Sequence, residues 1–105
     1  MKRLRVESAT EEELRAAVDW YEGRQPGLGA RFVSEVGRVL DLIRNRPALG
    51  GPVPRVRAQY GVRRVPLRRF PYFVIYRDCD AEIQIVAFAH TSRKPGYWRH
   101  RPHKR

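Results

Sequence analysis

The fold is decided by one stretch in the second half of the chain, Arg69-Phe70-Pro71-Tyr72-Phe73-Val74-Ile75-Tyr76. The acidic turn Asp78-Cys79-Asp80-Ala81 separates it from a second apolar run between Glu82 and His90. Two apolar runs joined by a short polar turn predict a β-hairpin with strands at residues 72–77 and 82–90. A further strand is expected at residues 60–67, where Pro66 suits a strand end or an edge. The second half of the chain therefore predicts three consecutive strands.

The first half carries the signals of a short strand and a helix. Apolar and charged residues alternate between positions 2 and 7, which predicts a strand. Two capping-box patterns then mark the start of the helix, Thr10 followed by Glu13 and Ser8 followed by Glu11. An apolar stripe at helical spacing follows, and Gly23 is expected to end this helix.

A second helix is expected to open at residues 27–29 and to end before Pro47, because a proline disfavours helical geometry in the residue before it. Two helices joined by a few residues predict an antiparallel helical hairpin. Residues 47–54 form a turn-rich connector. The order β-α-α-β-β-β predicts an α+β fold, with the two-helix hairpin packed on one face of a small four-stranded sheet, antiparallel or mixed.

Length and charge limit the function. The 105 residues predict a single domain with a frayed basic tail at residues 99–105, and 22 Lys+Arg against 11 Asp+Glu give a net charge of +11. Such a surplus favours an anionic partner, although a merely basic surface is the alternative. The longest apolar run is far shorter than the roughly 20 residues that span a membrane, so we expect a cytoplasmic protein without a membrane partner. A single cysteine, Cys79, excludes an internal disulfide, and neither a cofactor nor a metal is expected.

The predicted hairpin strands are apolar on both faces. On the first strand, Tyr72, Val74 and Tyr76 alternate with Phe73 and Ile75. Strict alternation divides the second strand into two faces, one with Ile83, Ile85, Ala87 and Ala89 and the other with Val86 and Phe88. Because two helices cover only one face, the other needs the C-terminal segment with Tyr97 and Trp98, or a partner protein. We favour a partner that contacts Tyr72, Val74, Tyr76 and Trp98.

Several motifs, in this order, resemble the RelE/ParE superfamily of bacterial toxins. Residues 69–76 are similar to the central strand of that family. The residues that close the chain are similar to the signature of many members, namely His90, Arg93, Pro95, Tyr97, Trp98 and Arg101. The resemblance covers about residues 2–101 and implies the toxin of a type II toxin-antitoxin system, neutralised by a cognate antitoxin. Relatives of the RelE kind cut messenger RNA in the ribosomal A site, whereas relatives of the ParE kind poison DNA gyrase and lack the ribonuclease residues.

Three residues near the C-terminus fit metal-free RNA cleavage by 2′-hydroxyl attack, which needs a proton acceptor, cations and in some cases a proton donor. His90 is the candidate base or acid, since its ordinary pKa lies near physiological pH. Arg93 suits a bidentate phosphate contact. Tyr97 suits a proton donor or a platform for a base. Each has a structural alternative: a hydrogen-bonded histidine at a strand end, a solvated arginine and a core tyrosine.

A basic cluster lies on and after the strand at residues 60–67, and its members are Arg63, Arg64, Arg68 and Arg69. Alternation places Arg63 and Arg64 on opposite faces, so at most one of them joins His90. In the ribonuclease relatives an arginine on this strand contacts phosphate. The resemblance therefore implies Arg64 as a fourth catalytic residue, with Arg69, Arg63 and Arg68 as substrate-binding residues.

From these features we predict ribosome-dependent messenger RNA cleavage, with the ribosome, messenger RNA and the antitoxin as partners. The alternatives are a non-enzymatic inhibitor of DNA gyrase and an inactive member that binds only its antitoxin. The ribonuclease relatives often carry lysines near the middle of the chain, where this sequence has Arg55 and Arg57. Because arginine is a poor proton acceptor, proton transfer would depend on His90.

Overall fold

A five-stranded mixed sheet and a helical hairpin build the fold. The computed structural model describes residues 2–94 and 96–100, so Pro95, Arg101 and the rest of the predicted tail lie outside it. The strands are β1 (Arg3–Val6), β2 (Gly51–Pro52), β3 (Val62–Pro66), β4 (Tyr72–Asp78) and β5 (Glu82–His90). The helices are α1 (Ser8–Arg24) and α2 (Leu28–Asn45), with short 3-10 turns at Ala58–Tyr60 and Tyr97–His100.

The strand order confirms the predicted α+β fold. The sheet runs β1-β5-β4-β3-β2, with β1 parallel to β5 and the other neighbours antiparallel. A fifth strand, β2, was not predicted. It consists of Gly51 and Pro52, which pair with Arg64 and Arg63. A glycine-proline pair carries no strand signal, because both residues favour turns.

Both ends of α1 differ slightly from the predicted ones. α1 begins at Ser8, and the Glu7 carbonyl accepts hydrogen bonds from the backbone N–H groups of Thr10 and Glu11. The Thr10 hydroxyl donates instead to the Val86 carbonyl on β5, at 2.9 Å, so it does not cap the helix. α1 passes through Gly23 and ends at Arg24. The predicted stop at Gly23 was wrong, since a lone glycine lowers helix stability by about 1 kcal/mol without ending a helix.

The main core lies between the helical hairpin and the sheet. α2 contributes four buried side chains at helical spacing, namely Phe32, Val36, Val39 and Ile43. They pack on the helix-facing side of β4 and β5, on Val74, Tyr76, Ile83, Ile85 and Phe88. The predicted helix-on-sheet packing is therefore present, and it carries most of the buried apolar surface.

A β-bulge on β5 overturns the prediction of strict alternation. Ile75 pairs with Ala87, but its neighbour Tyr76 pairs with Ile85, so Val86 is an extra residue. A bulge of this kind shifts the alternation of side chains by one residue. Ile83 and Ile85 therefore face the helices, whereas Ala87 and Ala89 lie in the second core.

The chain itself covers the second face of the sheet. Val53 from the connector and Trp98 from the C-terminal turn are 5% and 4% exposed, and both pack with Ile75, Ala87 and Ala89. The favoured alternative, a partner protein, is not needed to bury these residues. Val74 and Tyr76 are 0% exposed and face α1 and α2, so the predicted partner contacts at these two positions are wrong. A fully buried side chain contacts a partner only if the helices move.

Candidate functional site

A cleft of about 580 Å³ opens between α1 and the end of the sheet where β5 stops. It brings together three of the predicted site residues, His90, Arg93 and Tyr97. The remaining lining comes from α1, the loop before β4, β4 and β5, and consists of Glu13, Ala16, Ala17, Trp20, Tyr21, Pro71, Tyr72 and Phe88. Its volume lies within the range of small-ligand sites, about 300–1,000 Å³.

His90 ends β5 and is held by Ser92. The Ser92 backbone N–H donates to His90 Nδ1 at 3.0 Å, and the Ser92 hydroxyl oxygen lies 2.8 Å from the same nitrogen. Because a backbone N–H only donates, Nδ1 accepts, and this hydrogen-bond network assigns the proton of the neutral ring to Nε2. The Tyr72 ring packs edge-on to the imidazole, with 5.1 Å between centroids. His90 therefore offers a hydrogen-bond donor at Nε2.

Glu13 joins three parts of the chain at the wall of the cleft. Its carboxylate accepts a hydrogen bond from the Tyr97 hydroxyl and another from the Phe88 backbone N–H, the latter at 3.2 Å. Arg93 then packs on the other side of Tyr97, with its Cζ 4.0 Å from the ring centroid. A carboxylate, a phenol and a guanidinium thus form one connected cluster.

Sequence reasoning missed Glu13 because it was assigned to a capping box. One signal pointed to another role: Glu13, Ala17 and Tyr21 follow at steps of four on the same helical face, and Ala17 and Tyr21 are buried. A charged residue on the buried face of a helix needs a partner elsewhere in the fold.

Two tyrosine hydroxyls of the cleft remain protonated well above neutral pH. Burial raises the pKa of Tyr72, and the negative charge of Glu13 raises it further. Burial also raises the pKa of Tyr21, and the neighbouring Tyr72 adds to this effect. Both phenols are therefore hydrogen-bond donors over the physiological pH range.

Comparison with known proteins identifies the family. A family model described as the ParE toxin of type II toxin-antitoxin system, parDE, matches residues 4–95. The chain belongs to the ParE toxin family. A solved structure of the chromosomal ParDE TA system from P. aeruginosa is similar, with a TM-score of 0.71 and 24% identity, over 86% of this chain and 96% of that chain. At that identity the likeness shows a shared fold. No curated protein sequence matches the chain.

Arg64, the second arginine of this ParE-family chain that was predicted to be catalytic, lies on the second face of the sheet. It pairs with Ile75 on β4, and its Cζ is 4.2 Å from the centroid of the Phe73 ring. With His90 and Arg93 it lines a second, smaller cavity of about 90 Å³. Arg63 points to the opposite face, as alternation predicts, and donates to the Gly50 carbonyl at 2.8 Å. The structure thus places Arg64 near His90 but outside the larger cleft.

Neither Arg68 nor Arg69 lines the cleft of the ParE-family fold. Both are exposed in the loop between β3 and β4, and Arg69 has a positive φ of 68°. The Arg68 backbone N–H donates to Glu35 Oε2 on α2 at 2.5 Å. Nothing in the geometry joins these two residues to His90, so their substrate-binding role stays a prediction from the resemblance.

Glu35 makes the stability of this toxin pH-dependent. The Arg38 side chain donates two hydrogen bonds to its carboxylate, at 2.7 and 2.8 Å, which lowers the pKa of Glu35. A carboxyl group whose pKa is lower in the folded than in the unfolded state stabilises the fold at pH values above its unfolded pKa of about 4.3. This stabilisation is lost as the pH falls through the folded-state pKa. We expect Glu35→Gln to lower the melting temperature more at pH 7 than at pH 3. Asp41→Asn removes the same charge from an exposed position of the same helix and should lower the melting temperature at pH 7 less than Glu35→Gln does. Equal losses for Glu35→Gln at both values would contradict this.

Among residues 2–94 and 96–100, no group of three or more His, Cys, Asp and Glu side chains is arranged to hold a metal ion. No helix in the same part of the chain is long and apolar enough to cross a membrane.

Proposed function

We propose that the chain is a toxin that inhibits DNA gyrase and is neutralised by a cognate antitoxin. The observation that carries this choice is the match of the ParE toxin family model to residues 4–95, because gyrase poisoning belongs to the ParE kind of the superfamily. The sequence analysis predicted messenger RNA cleavage with gyrase inhibition as the alternative, whereas we now favour gyrase inhibition. Such a toxin would act in the cytoplasm, where both gyrase and the antitoxin occur.

The chemistry of the cleft supports a protein target. Aromatic and aliphatic groups make up most of the lining, and Trp20 at its edge is 54% exposed. Arg24 packs over the Trp20 ring, with its Cζ 4.3 Å from the centroid. Tryptophan and arginine are the residues that most often dominate the energy of protein interfaces. An exposed pair of this kind is suited to contact a protein surface.

A supercoiling assay with purified gyrase tests this function. We expect the full chain to inhibit supercoiling at micromolar concentration, and Trp20→Ala to weaken inhibition about 10-fold or more, as loss of an interface anchor does. Tyr60→Ala is the matched control, since Tyr60 is an exposed aromatic, 44% accessible, outside the cleft. Normal supercoiling at all toxin concentrations would exclude gyrase as the target.

One observation favours ribosome-dependent messenger RNA cleavage as a second function: His90, Arg93 and Tyr97 line the same cleft. Side chains that line one cleft can contact the same phosphate group, which side chains on different sides of the molecule cannot do. Primer extension on a message from cells that express the chain tests this function. Cuts within codons are expected, and identical cuts by wild type and His90→Ala would show that this cleft is not responsible.

A further inference from the structure

We propose that a groove on the second face of the sheet binds a nucleoside di- or triphosphate. The groove has a volume of about 530 Å³, within the range of small-ligand sites, about 300–1,000 Å³. Among the described residues, none lines both this groove and the cleft beside α1, so the inference goes beyond the proposed function. Three features of the groove indicate a nucleotide: its cations, its carboxylate and its aromatic rim.

The floor of the groove is one row of side chains across four strands. Arg5 on β1 lies opposite Gln84 on β5, and Arg77 on β4 lies on the other side of Gln84. Val62 on β3 continues the row beyond Arg77. Residues that lie opposite one another in a sheet share a face. Trp98, which covers the neighbouring part of this face, forms a wall of the groove. The part that Trp98 leaves open therefore carries two arginines and a glutamine.

Three arginines border the groove, namely Arg5, Arg77 and Arg99. Arg77 Nη2 donates to Gln84 Oε1 at 3.0 Å, and Arg99 Nε donates to the Gly96 carbonyl at 3.2 Å. Both acceptors are uncharged, and neither Arg77 nor Arg99 forms an ion pair within the part of the chain that the structure describes. Two held guanidinium groups thus border one space, which suits the phosphate groups of a ligand.

Glu7 adds a carboxylate to the same lining. Its Oε1 accepts a hydrogen bond from Gln84 Nε2 at 2.8 Å, which holds it beside the row of arginines. A carboxylate repels a simple anion but accepts hydrogen bonds from ribose hydroxyls, as in dinucleotide-binding folds. The groove therefore complements a ligand that carries hydroxyl donors as well as negative charge.

The rim of the groove offers a surface for a base. Tyr60, in the first 3-10 turn, lines the groove and is 44% exposed. Val56, Val62 and Val86 add aliphatic surface to the same lining. A flat ring beside aliphatic side chains suits a nucleobase, because every base has a face that stacks on an aromatic ring.

Size and charge favour a single nucleotide over larger occupants. A nucleic-acid strand carries one phosphate per nucleotide, so three phosphates require three nucleotides, whereas a nucleoside triphosphate carries three on one. A groove of about 530 Å³ holds one nucleotide with its phosphates but not three nucleotides. Residues 101–105 include two arginines and a lysine, and a second copy of the chain carries the same charge of +11, so neither complements the arginines.

Isothermal titration calorimetry of the full chain with ATP, in magnesium-free buffer, tests the site. We expect one ATP to bind with a micromolar dissociation constant. Arg77→Gln should weaken binding about 10-fold or more, the effect of losing a hydrogen bond to a charged group. Arg31→Gln is the matched control, because Arg31 is exposed on α2 and does not line the groove. It should bind ATP like the wild type.

A second comparison separates the base from the phosphates. Tyr60→Ala should weaken ATP binding about 5-fold or more, as loss of a stacking surface does, and leave the binding of inorganic triphosphate unchanged. Tyr60→Phe keeps the ring and should bind ATP like the wild type. Arg77→Gln should weaken the binding of both ligands. Tyr60 and Arg77 are exposed, so the melting temperatures of these variants should stay close to that of the wild type.

Four outcomes would overturn the proposal. The first two are a wild type that does not bind ATP and ATP binding that Arg77→Gln leaves unchanged. Inorganic triphosphate bound as tightly as ATP would show an unspecific anion site. A single-stranded oligodeoxynucleotide that binds through Arg77 when ATP does not would assign the groove to DNA. None of these measurements contains gyrase, so their results and that of the supercoiling assay are independent.

Discussion

Replacement of Phe32 by alanine is expected to lower the free energy of unfolding by about 3–5 kcal/mol, the usual range for loss of a buried phenylalanine. Phe32 is 0% exposed. Its ring contacts those of Tyr21, Phe70 and Tyr72, with centroids 5.1, 5.0 and 5.1 Å away. Alanine leaves a cavity among these rings, which cannot close because α2 and β4 are held by other contacts. Urea denaturation monitored by circular dichroism measures the change.

Val33→Ala is the matched control, because Val33 follows Phe32 on α2 and is 49% exposed. Its effect should stay within about 0.5 kcal/mol, as for most surface substitutions. Similar losses for both variants would mean that the aromatic cluster does not carry the core. Tyr21 and Tyr72 also line the cleft, so Phe32→Ala should weaken the toxic activity as well as stability.

Tyr76→Phe is expected to lower the free energy of unfolding by about 2–4 kcal/mol, although it removes a single oxygen atom. The Tyr76 hydroxyl accepts a hydrogen bond from the Gly50 N–H at 2.8 Å and donates one to the Pro47 carbonyl at 2.6 Å. Phenylalanine leaves both groups without this partner, and an unsatisfied buried polar group costs about 1–3 kcal/mol. Chemical denaturation at neutral pH measures the difference.

Tyr60→Phe removes the same atom from an exposed ring and should change stability by less than about 0.5 kcal/mol. Gly50→Ala tests the same contact from the other side. A Cβ atom at position 50 would lie 2.7 Å from the Tyr76 hydroxyl oxygen, so we expect a loss of about 1–3 kcal/mol from overpacking. If Tyr76→Phe and Tyr60→Phe were equally stable, the connector would not be fastened by this hydroxyl.

The architecture was predictable because its signals are local. The apolar runs around the acidic turn define β4 and β5, and the steps of three and four between Phe32 and Ile43 define α2. The bulge at Val86 was not predictable in this way, since a two-residue period assumes that each residue of one strand opposes one residue of the other. The strand β2 was missed for a similar reason, because its two residues gain strand geometry only by pairing with Arg63 and Arg64.

The candidate site was predictable only in part. His90, Arg93 and Tyr97 lie within eight positions of the sequence, so the end of one strand brings them close together. Glu13 joins them across 84 positions, through its hydrogen bond with Tyr97. No local pattern reports a contact of that range. Arg68 and Arg69 were predicted to bind substrate because they lie close to β4 in sequence. In the structure neither lines the cleft, and the Arg68 backbone contacts Glu35 on α2.

The parallel pairing of β1 with β5 has a practical consequence for experiments on this protein. β1 starts opposite Glu82, and the Lys2 ammonium lies 2.6 Å from Asp78 at the hairpin turn. His90 is eight residues further along β5, which corresponds to about 25 Å of extended chain. A fluorophore or affinity handle fused ahead of β1 therefore emerges at the pole of the molecule opposite the cleft mouth.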